Sequence, residues 1–386
     1  MKRTVRIGTG VLGAAAVAGV AWIALPAEAA ATGVVSVVSS NIVVYTAASG
    51  KANTVVLTRS GNAVTVDDVY GIKAGTGCSA VSGDVTRIRC ALPVAPIWVR
   101  VDLGDGNDTL INNSGLGMTA WGRAGSDKIT GGPLKDDVYG GEGNDGIWGL
   151  GGNDVLRGEG GDDAVSGGDG ADVLSGSTGN DRLYGGEGND RAIYGGPGND
   201  RLEGGPGDDF LRGDAGNDIE LGGPGTNFFY QDVEYPRGTD ADSFAGGDGD
   251  DIVLYWQRTN AVTADPDAVK GDDGAVGEGD TIGTSIEQIW GGSGNDRLVG
   301  SARGNETLDG GAGKDTLLAG GGDDAVWAGS GIDYVDAGDG RDYCADDVEP
   351  GETVINCEYG NGAPALERAS LRREAGLIKT EAVAIR

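Results

Sequence analysis

The stretch GGEGNDGIW, at residues 140–148, sets the pattern for most of this chain. The pattern returns in GGDGADVLS at 167–175, GGPGNDRLE at 195–203 and GGPGDDFLR at 204–212. Each copy has the form G-G-x-G-x-D-x-U-x, in which U is apolar and an aspartate holds the sixth position. A nine-residue period of this kind predicts a repeat protein in which one small unit stacks on the next.

The sixth-position aspartates keep their register over a long stretch of chain. From Asp127 to Asp190 they recur at every ninth residue, and after one extra residue they continue from Asp200. Most copies place an apolar side chain two positions after the aspartate, at Ile129, Val138, Ile147, Leu156, Val165, Leu174, Leu183, Leu202 and Leu211. A disordered glycine-rich linker needs no regular spacing of aspartates or of apolar side chains. The occurrence of both spacings in the same repeats therefore favours a folded structure.

The repeat predicts its own local structure. Its glycines permit backbone angles that other residues avoid, so six residues can turn tightly with their carbonyls pointing inward. The remaining x-U-x segment forms a short strand whose U side chain faces the core and whose flanks face solvent. Two nonapeptides complete one coil, which places Asp127 over Asp145. We therefore expect an all-β fold, a parallel β-roll or β-solenoid.

The repeats closely resemble those of the RTX, or haemolysin-type calcium-binding, family over roughly residues 102–345. The resemblance implies a parallel β-roll in which the sixth-position aspartate is a calcium ligand, with glycine carbonyls beside it. The metal ligands that it implies here are Asp108, Asp127, Asp136, Asp145, Asp154, Asp163, Asp172, Asp181, Asp190, Asp200, Asp209, Asp218, Asp242, Asp251, Asp296, Asp315, Asp324, Asp333 and Asp342.

Part of the chain departs from a regular repeat. The segment GEGDTIGTSIEQIWGGSGNDRL, residues 277–298, looks like a family segment that leads back into the repeats and adds Asp280 or Glu287 to the ligand set. Four further positions break the family pattern, and they are Leu134 at a turn glycine, Asn227 and Glu306 at the sixth position, and Glu220 at an apolar position.

The expected ligand set suits calcium. Calcium accepts about six to eight oxygens at ~2.3–2.6 Å, and carboxylates with backbone carbonyls supply only oxygen. Magnesium demands a tighter octahedron and retains its waters, while soft metals prefer thiolate and imidazole. We expect several calcium ions as the cofactor and a chain that folds when it binds them.

Composition excludes several function classes. The 386 residues contain no histidine, which removes histidine-dependent catalytic triads and most histidine-ligated transition-metal sites. A net charge of −31 argues against nucleic acid as a partner, because phosphate binding needs clustered lysine and arginine. Chemistry based on paired carboxylates, such as glycoside hydrolysis, remains compatible with the composition.

The N-terminus has the pattern of an export signal. Lys2, Arg3 and Arg6 precede an apolar stretch at 7–25, and Ala27-Glu28-Ala29 offers a cleavage site. The competing interpretation is an uncleaved membrane anchor, because the apolar stretch has 19 residues. No later segment is apolar enough to span a bilayer, so none is expected after signal cleavage. The predicted location is extracellular, with cell-surface association as one form of it.

Four cysteines support an oxidising compartment. Cys78 and Cys90 form one close pair, and Cys344 and Cys357 form another. Local disulfides are favoured among the three pairings that are formally possible. A zinc site is a poor alternative because neither pair has the short spacing of zinc ligands.

Changes in amino-acid composition and in the repeat period along the chain suggest how it is divided into segments. β-branched runs before residue 101 predict a small β-unit that caps the stack. Aromatic residues interrupt the period between 231 and 290, either as a cover on one stack or as a break between two. The predicted segments are a signal peptide at 1–29, an N-terminal β-unit at 32–101, a first repeat block at 102–230, an irregular insertion at 231–290, a second block at 291–360 and a polar tail at 361–386.

Two functions fit these expectations. The first is a non-catalytic extracellular calcium-binding protein that serves as a structural, matrix or adhesion component, with surface glycans or matrix as partners. The second is a secreted, carboxylate-based carbohydrate-active enzyme that uses the roll as a module. Residues 32–101 are too few for a typical catalytic domain, so the first function is favoured and no enzymatic activity is expected. The residues expected to be exposed, as solvated strand flanks rather than as an outer binding face, are Arg157, Arg182, Arg201, Arg212, Trp148 and Tyr184.

Overall fold

The computed structural model describes residues 32–231, 240–276, 278–302, 304–344 and 350–358. Regular structure in these ranges consists of 35 β-strands. The predicted signal peptide at 1–29 and polar tail at 361–386 lie outside the described residues. Within the described ranges, no helix is long and apolar enough to cross a membrane.

The first strands carry β-branched runs with little glycine. They are β1 (Gly33–Ser39), β2 (Ile42–Thr46), β3 (Thr54–Ser60), β4 (Ala63–Asp67), β5 (Ile72–Ala74), β6 (Cys78–Val81), β7 (Asp84–Ala91), β8 (Trp98–Asp102) and β9 (Thr109–Asn113).

The regular repeats then give one strand each, and many of these strands are longer than the predicted x-U-x segment, since strands such as Gly146–Gly151 continue into the first residues of the next repeat. These strands are β10 (Gly117–Ala124), β11 (Lys128–Thr130), β12 (Asp136–Glu142), β13 (Gly146–Gly151), β14 (Val155–Gly160), β15 (Ala164–Asp169), β16 (Val173–Thr178), β17 (Arg182–Glu187), β18 (Ala192–Pro197), β19 (Arg201–Glu203), β20 (Phe210–Ala215), β21 (Ile219–Leu221) and β22 (Phe228–Tyr230).

The remaining strands have two or three residues each. They are β23 (Ser243–Ala245), β24 (Ile252–Leu254), β25 (Val262–Ala264), β26 (Gly274–Ala275), β27 (Thr281–Ile282), β28 (Gln288–Trp290), β29 (Arg297–Val299), β30 (Thr307–Asp309), β31 (Thr316–Leu318), β32 (Ala325–Trp327), β33 (Tyr334–Asp336), β34 (Tyr343–Cys344) and β35 (Thr353–Ile355).

The strands form three sheets. Sheet 1 has 16 strands, runs from β5 to β34 and contains the even-numbered repeat strands. Sheet 2 has 13 strands and ends at β27, and sheet 3 has six strands from β26 to β35. Repeat strands pair in parallel with an offset of two nonapeptides, as when Ile147 pairs with Val165. The predicted parallel β-roll is confirmed.

The core is a single row of apolar side chains inside the coil. The U residues Ile147, Leu156, Val165 and Leu174 are each 0% exposed, because both faces of the roll pack their inward side chains against each other. The extra residue after Asp190 does not disturb this row. Leu174 still pairs with Ile193, so the insertion is absorbed before strand β18.

The N-terminal strands continue the roll. Strand β2 pairs in parallel with β8 in sheet 1, and β3 pairs in parallel with β9 in sheet 2. Antiparallel neighbours follow outward, with β1 beyond β2 and β4 beyond β3. The first coil is therefore covered by antiparallel strands at this end.

The interruption of the repeats affects one face of the roll. In sheet 1, β22 pairs with β24 and β24 pairs with β28, so this sheet passes through without a break. Sheet 2 ends at β27, and sheet 3 continues the opposite face from β25 and β29. Sheet 1 is therefore continuous across the interruption, whereas the opposite face changes from sheet 2 to sheet 3.

A second hydrophobic cluster lies at the interruption. It lies on the outer side of sheet 1, because its members flank the inward residues Leu211, Phe229, Val253 and Ile289 in their strands. Regular repeats expose these flanking positions, so their burial marks a covered patch. The cluster consists of Phe210, Phe228, Tyr230, Ile252, Leu254 and Trp290.

Both disulfides are local, as the sequence favours. Cys78 pairs with Cys90 across the antiparallel strands β6 and β7. Cys344, at the last inward position of sheet 1, pairs with Cys357 beyond strand β35.

Candidate metal centre

The sixth-position residues stack into three columns. Column 1 precedes the strands of sheet 1, column 2 precedes those of sheet 2, and column 3 precedes those of sheet 3. Column 1 contains Asp136, Asp154, Asp172, Asp190, Asp209, Asn227, Asp251, Glu287, Glu306, Asp324 and Asp342, column 2 contains Asp108, Asp127, Asp145, Asp163, Asp181, Asp200, Asp218, Asp242 and Asp280, and column 3 contains Asp296, Asp315 and Asp333.

Each column is held by a repeated hydrogen bond. The backbone N–H of Asp127 donates to Oδ1 of Asp145 at 2.7 Å, and the N–H of Asp145 donates to Oδ1 of Asp163 at 2.7 Å. Column 3 repeats this contact between Asp296 and Asp315 at 2.8 Å. One carboxylate oxygen per aspartate is thus used to join neighbouring coils.

The second carboxylate oxygen is left for another partner. In most aspartates of the columns it is buried and has no hydrogen-bond partner among the described residues, although a buried unpaired acceptor is costly. This holds for Asp108, Asp127, Asp145, Asp154, Asp163, Asp172, Asp181, Asp190, Asp200, Asp209, Asp218, Asp251, Asp315, Asp324, Asp333 and Asp342. At Asp136 the arrangement is reversed, because Oδ2 accepts from the N–H of Gly132 and Oδ1 is the buried oxygen without a partner among the described residues.

The first glycine of each repeat leaves room for this oxygen. A Cβ atom on Gly149 would collide with Oδ2 of Asp154 and with the carbonyl oxygen of Gly167, one coil later. The unpaired carboxylate oxygen and a backbone carbonyl therefore border the same space. The glycines at the second and fourth positions serve the turn itself, since Gly141 and Gly143 have φ values of 115° and 122°.

This donor set fits calcium. Carboxylate and carbonyl oxygens are the ligands that calcium prefers, and the columns offer them at every coil. Within the described ranges, no group of three or more His, Cys, Asp or Glu side chains gathers to hold a metal. Backbone carbonyls would therefore have to supply most of the ligands at each level.

Burial also changes the acidity of the columns. It raises the pKa of Asp145, Asp154 and Asp163 to about 7, although the hydrogen bond from the preceding coil lowers it. Burial raises the pKa of Asp190 and Asp218 further, to about 8, and neighbouring aspartates of the column add to the effect. A bound cation would favour the charged forms of these groups.

Two asparagines occupy column positions and donate hydrogen bonds from their side-chain amide groups. The Nδ2 of Asn227 donates to the carbonyl of Gly223 at 3.0 Å and to Oδ1 of Asp251 at 2.8 Å. At the N-terminal end of column 2, Nδ2 of Asn53 donates to Oδ1 of Asp108 at 3.1 Å. Repeat counting identifies Asn227, whereas Asn53 lies outside the repeats and has no sequence signal.

Both additional residues from the sequence analysis lie in the columns. Oδ1 of Asp280 accepts from the N–H of Asp242 at 3.1 Å, and its Oδ2 accepts from the hydroxyl of Tyr255 at 3.3 Å. Glu287 accepts from the N–H of Asp251 at 2.9 Å. Asp280 has a protein partner for each oxygen and so differs from the aspartates earlier in its column.

Three other column positions have individual features. Both oxygens of Asp296 accept backbone hydrogen bonds at 2.8 Å, from Val262 and Gly292. Glu306 accepts from Ser301 through Oε1, while its Oε2 is buried without a partner among the described residues. Glu358, which the sequence analysis missed, accepts from the N–H of Asp342 at 2.8 Å and closes column 1.

The prediction that Arg212 is exposed is wrong. Its side chain is buried, with an overall exposure of 7% for the residue, and it pairs with Asp214. Its guanidinium also lies 5.8 Å from the ring centre of Tyr194 and 5.6 Å from that of Tyr230. Burial follows because Arg212 borders the covered patch outside sheet 1. Trp148 and Tyr184 are exposed as predicted, at 40% and 36%.

Comparison with known proteins agrees with this geometry. The family model described as the RTX calcium-binding nonapeptide repeat matches the chain repeatedly, and no curated protein matches it. The matched segments are 119–147, 130–165, 139–174, 166–192, 194–229, 283–302, 302–335 and 327–344. Together with the parallel roll and its aspartate columns, these matches identify the repeats of this chain as members of the RTX calcium-binding nonapeptide repeat family.

Proposed function

We propose that this protein is an extracellular calcium-binding protein whose roll folds when calcium fills the aspartate columns. The observation that carries this proposal is the row of buried carboxylate oxygens without hydrogen-bond partners among the described residues. The sixth-position aspartates that contain them are the proposed ligands. Asp280 and Asp296 are weaker candidates because the protein already satisfies their oxygens.

The ligand chemistry assigns each residue a simple role. The aspartate supplies one carboxylate oxygen to the ion, while its other oxygen fixes the carboxylate to the preceding coil. Carbonyls such as that of Gly167 supply further oxygens from the next coil. Calcium, when bound, supplies the positive charge that compensates the negative charge of the buried carboxylates.

The number of sites makes folding depend on calcium. A site whose Kd is about tenfold below the free calcium concentration stabilises the folded state by about 1.4 kcal/mol. About ten such sites would contribute roughly 14 kcal/mol, which is comparable to the whole stability of a typical domain, about 5–15 kcal/mol.

We assign the protein a structural, matrix or adhesion role outside the cell. Both disulfides support an oxidising compartment. A net charge of −31 and an uninterrupted sheet 1 suit an extended, hydrated element whose rigidity calcium controls. Cell fractionation tests the location: the protein should be found in the medium or on the cell surface, and a purely cytoplasmic location would contradict this role.

The central experiment is a calcium titration of the purified protein followed by circular dichroism. A steep gain of β signal with calcium, and a much weaker response to magnesium, is expected. A signal that is already complete and cooperative in excess chelator would show that the roll folds without the ion and would overturn the proposal.

A further inference from the structure

Glu220 occupies a position that apolar residues hold elsewhere in the roll. It lies at the centre of strand β21, paired with Leu202 on one side and Phe244 on the other. It is 0% exposed, so its carboxyl group lies inside the coil rather than in solvent. A leucine here would complete the apolar row, and the acid therefore needs a compensating partner.

The carboxyl group of Glu220 reaches the turn that holds Asp218. Its Oε1 accepts from the backbone N–H of Gly213 at 3.0 Å. Gly213 is the first residue of that repeat, and a Cβ atom there would collide with Oδ2 of Asp218. The two side chains thus approach the same glycine, Glu220 from the core and Asp218 from the turn.

Both carboxylates have an unsatisfied oxygen at this point. Oε2 of Glu220 and Oδ2 of Asp218 are buried and have no hydrogen-bond partner among the described residues. An acid that served only as a structural hydrogen-bonding group would be expected to use both oxygens.

The electrostatic surroundings of Glu220 are acidic. The buried carboxyl group of Glu220 lies within electrostatic reach of the acidic side chains of Asp242, Asp218 and Asp214. The nearby arginines have other partners, since Arg212 pairs with Asp214 and Arg258 pairs with Glu278. A divalent cation would compensate the carboxylates that these arginines leave unpaired.

We infer that Glu220 is a further calcium ligand at the level of Asp218, which it reaches from the interior of the roll. This level would carry two carboxylates, whereas the regular levels carry one, and we expect it to bind calcium more tightly because charge count tunes affinity. The inference rests on the proposed function, since it requires that column 2 binds calcium.

Two substitutions at Glu220 separate ligation from a neutral structural role. Glu220→Gln keeps the shape and the hydrogen bond to Gly213 but removes the charge, and Glu220→Leu restores the apolar row. The full-length protein is titrated with calcium against a competing chelator. Both variants should weaken the tightest binding step about tenfold or more, and Glu220→Leu should also stabilise the chelated protein.

A matched control distinguishes this inference from the proposed function. Asp163→Asn removes one carboxylate from a regular level of column 2 and should weaken an ordinary binding step while the tightest step remains. If Asp163→Asn weakens binding and Glu220→Gln binds calcium as the original protein does, the inference about Glu220 is wrong. If neither substitution changes calcium binding, the proposed function itself fails.

Infrared spectroscopy reports whether the side chain of Glu220 is a carboxylate or a neutral acid in the calcium-saturated protein. The calcium-saturated original protein should lack a protonated carboxyl band that belongs to Glu220. A band of this kind that is present in the original protein and disappears in Glu220→Gln would show a neutral acid and would overturn the inference.

Discussion

The side-chain amide of Asn227 donates to Oδ1 of Asp251 at 2.8 Å and so lies where other levels of column 1 keep an unpaired carboxylate oxygen. An amide nitrogen cannot ligate calcium, but it can donate a hydrogen bond. This level is therefore satisfied by the protein itself and differs chemically from the aspartate levels beside it.

The first prediction is that Asn227→Asp adds a calcium site. The substitution creates the same buried carboxylate that the neighbouring levels have, and the bound calcium per chain should increase by about one. Equilibrium dialysis with metal analysis measures this number. Asn217→Asp is the matched control, because Asn217 is exposed and the same charge change there should leave the number unchanged. An unchanged number in Asn227→Asp would contradict the role of the aspartates.

The second prediction concerns the glycines of the turn. Gly143 has a φ of 122°, and a Cβ atom there would collide with the carbonyl of Gly125 in the preceding coil. Gly143→Ala should destabilise the calcium-loaded protein by at least about 1–3 kcal/mol, because strain and collision add. At Gly151 the nearest atom to a new Cβ is 3.6 Å away, so Gly151→Ala should be neutral or slightly stabilising. Thermal unfolding in saturating calcium compares the two, and equal melting temperatures would refute the assigned turn geometry.

The third prediction is an opposite pH dependence with and without calcium. Burial raises the pKa of Asp145 to about 7 and that of Asp190 to about 8, above the ordinary value of about 4. An acid with a raised pKa in the folded state stabilises that state fully below its unfolded pKa, and this contribution is lost as the pH rises through 7 to 8. In chelator, the β signal should therefore be more stable at pH 5 than at pH 8.

Calcium reverses this order because it binds the deprotonated carboxylates. Calcium affinity should rise between pH 5 and pH 8, and binding should release protons. Melting curves at both pH values, with chelator and with saturating calcium, test the two predicted pH trends together. The same pH trend in both series would show that the column aspartates do not control stability.

The fourth prediction concerns the C-terminal disulfide. Cys357 precedes Glu358, whose carboxylate accepts from the N–H of Asp342 and closes column 1. The double substitution Cys344→Ser and Cys357→Ser should destabilise the last coils by up to about 3 kcal/mol. The reason is that the disulfide closes a short loop between cysteines that are 13 positions apart in the sequence. Hydrogen exchange should increase near Asp342 and remain unchanged near Asp127. Equal protection in both regions would show that the bridge does not hold the last coil.

The roll could be predicted from the sequence because its two periodic signals, the sixth-position aspartate and the apolar residue two positions later, both lie within one nonapeptide. Asp145 and Ile147 lie two residues apart in one nonapeptide, so their periodicity already determines the turn, the strand and the inward face. The column neighbours followed from counting two nonapeptides per coil, as Asp127 and Asp145 show.

Contacts made between distant segments were beyond the sequence pattern. Asn53 lies outside the repeats and reaches Asp108 only because strand β3 pairs with β9. The partner of Asp280 is Tyr255, which belongs to the interruption and has no repeat register. The wrong expectation for Arg212 has the same origin, since its burial depends on the covering of sheet 1 and not on its place in the nonapeptide.

The hydrogen bond between coils has a direction. Each coil offers a free backbone N–H toward the C-terminal side, and the next aspartate docks on it with Oδ1, as Asp163 does on Asp145. A folded coil thus offers hydrogen-bond donors to the coil that follows it in the chain. The N-terminal end of the roll is instead covered by antiparallel strands. We therefore expect the roll to fold coil by coil from the N-terminus onward, with Glu358 accepting from the N–H of Asp342 at the C-terminal end of column 1 within the described residues.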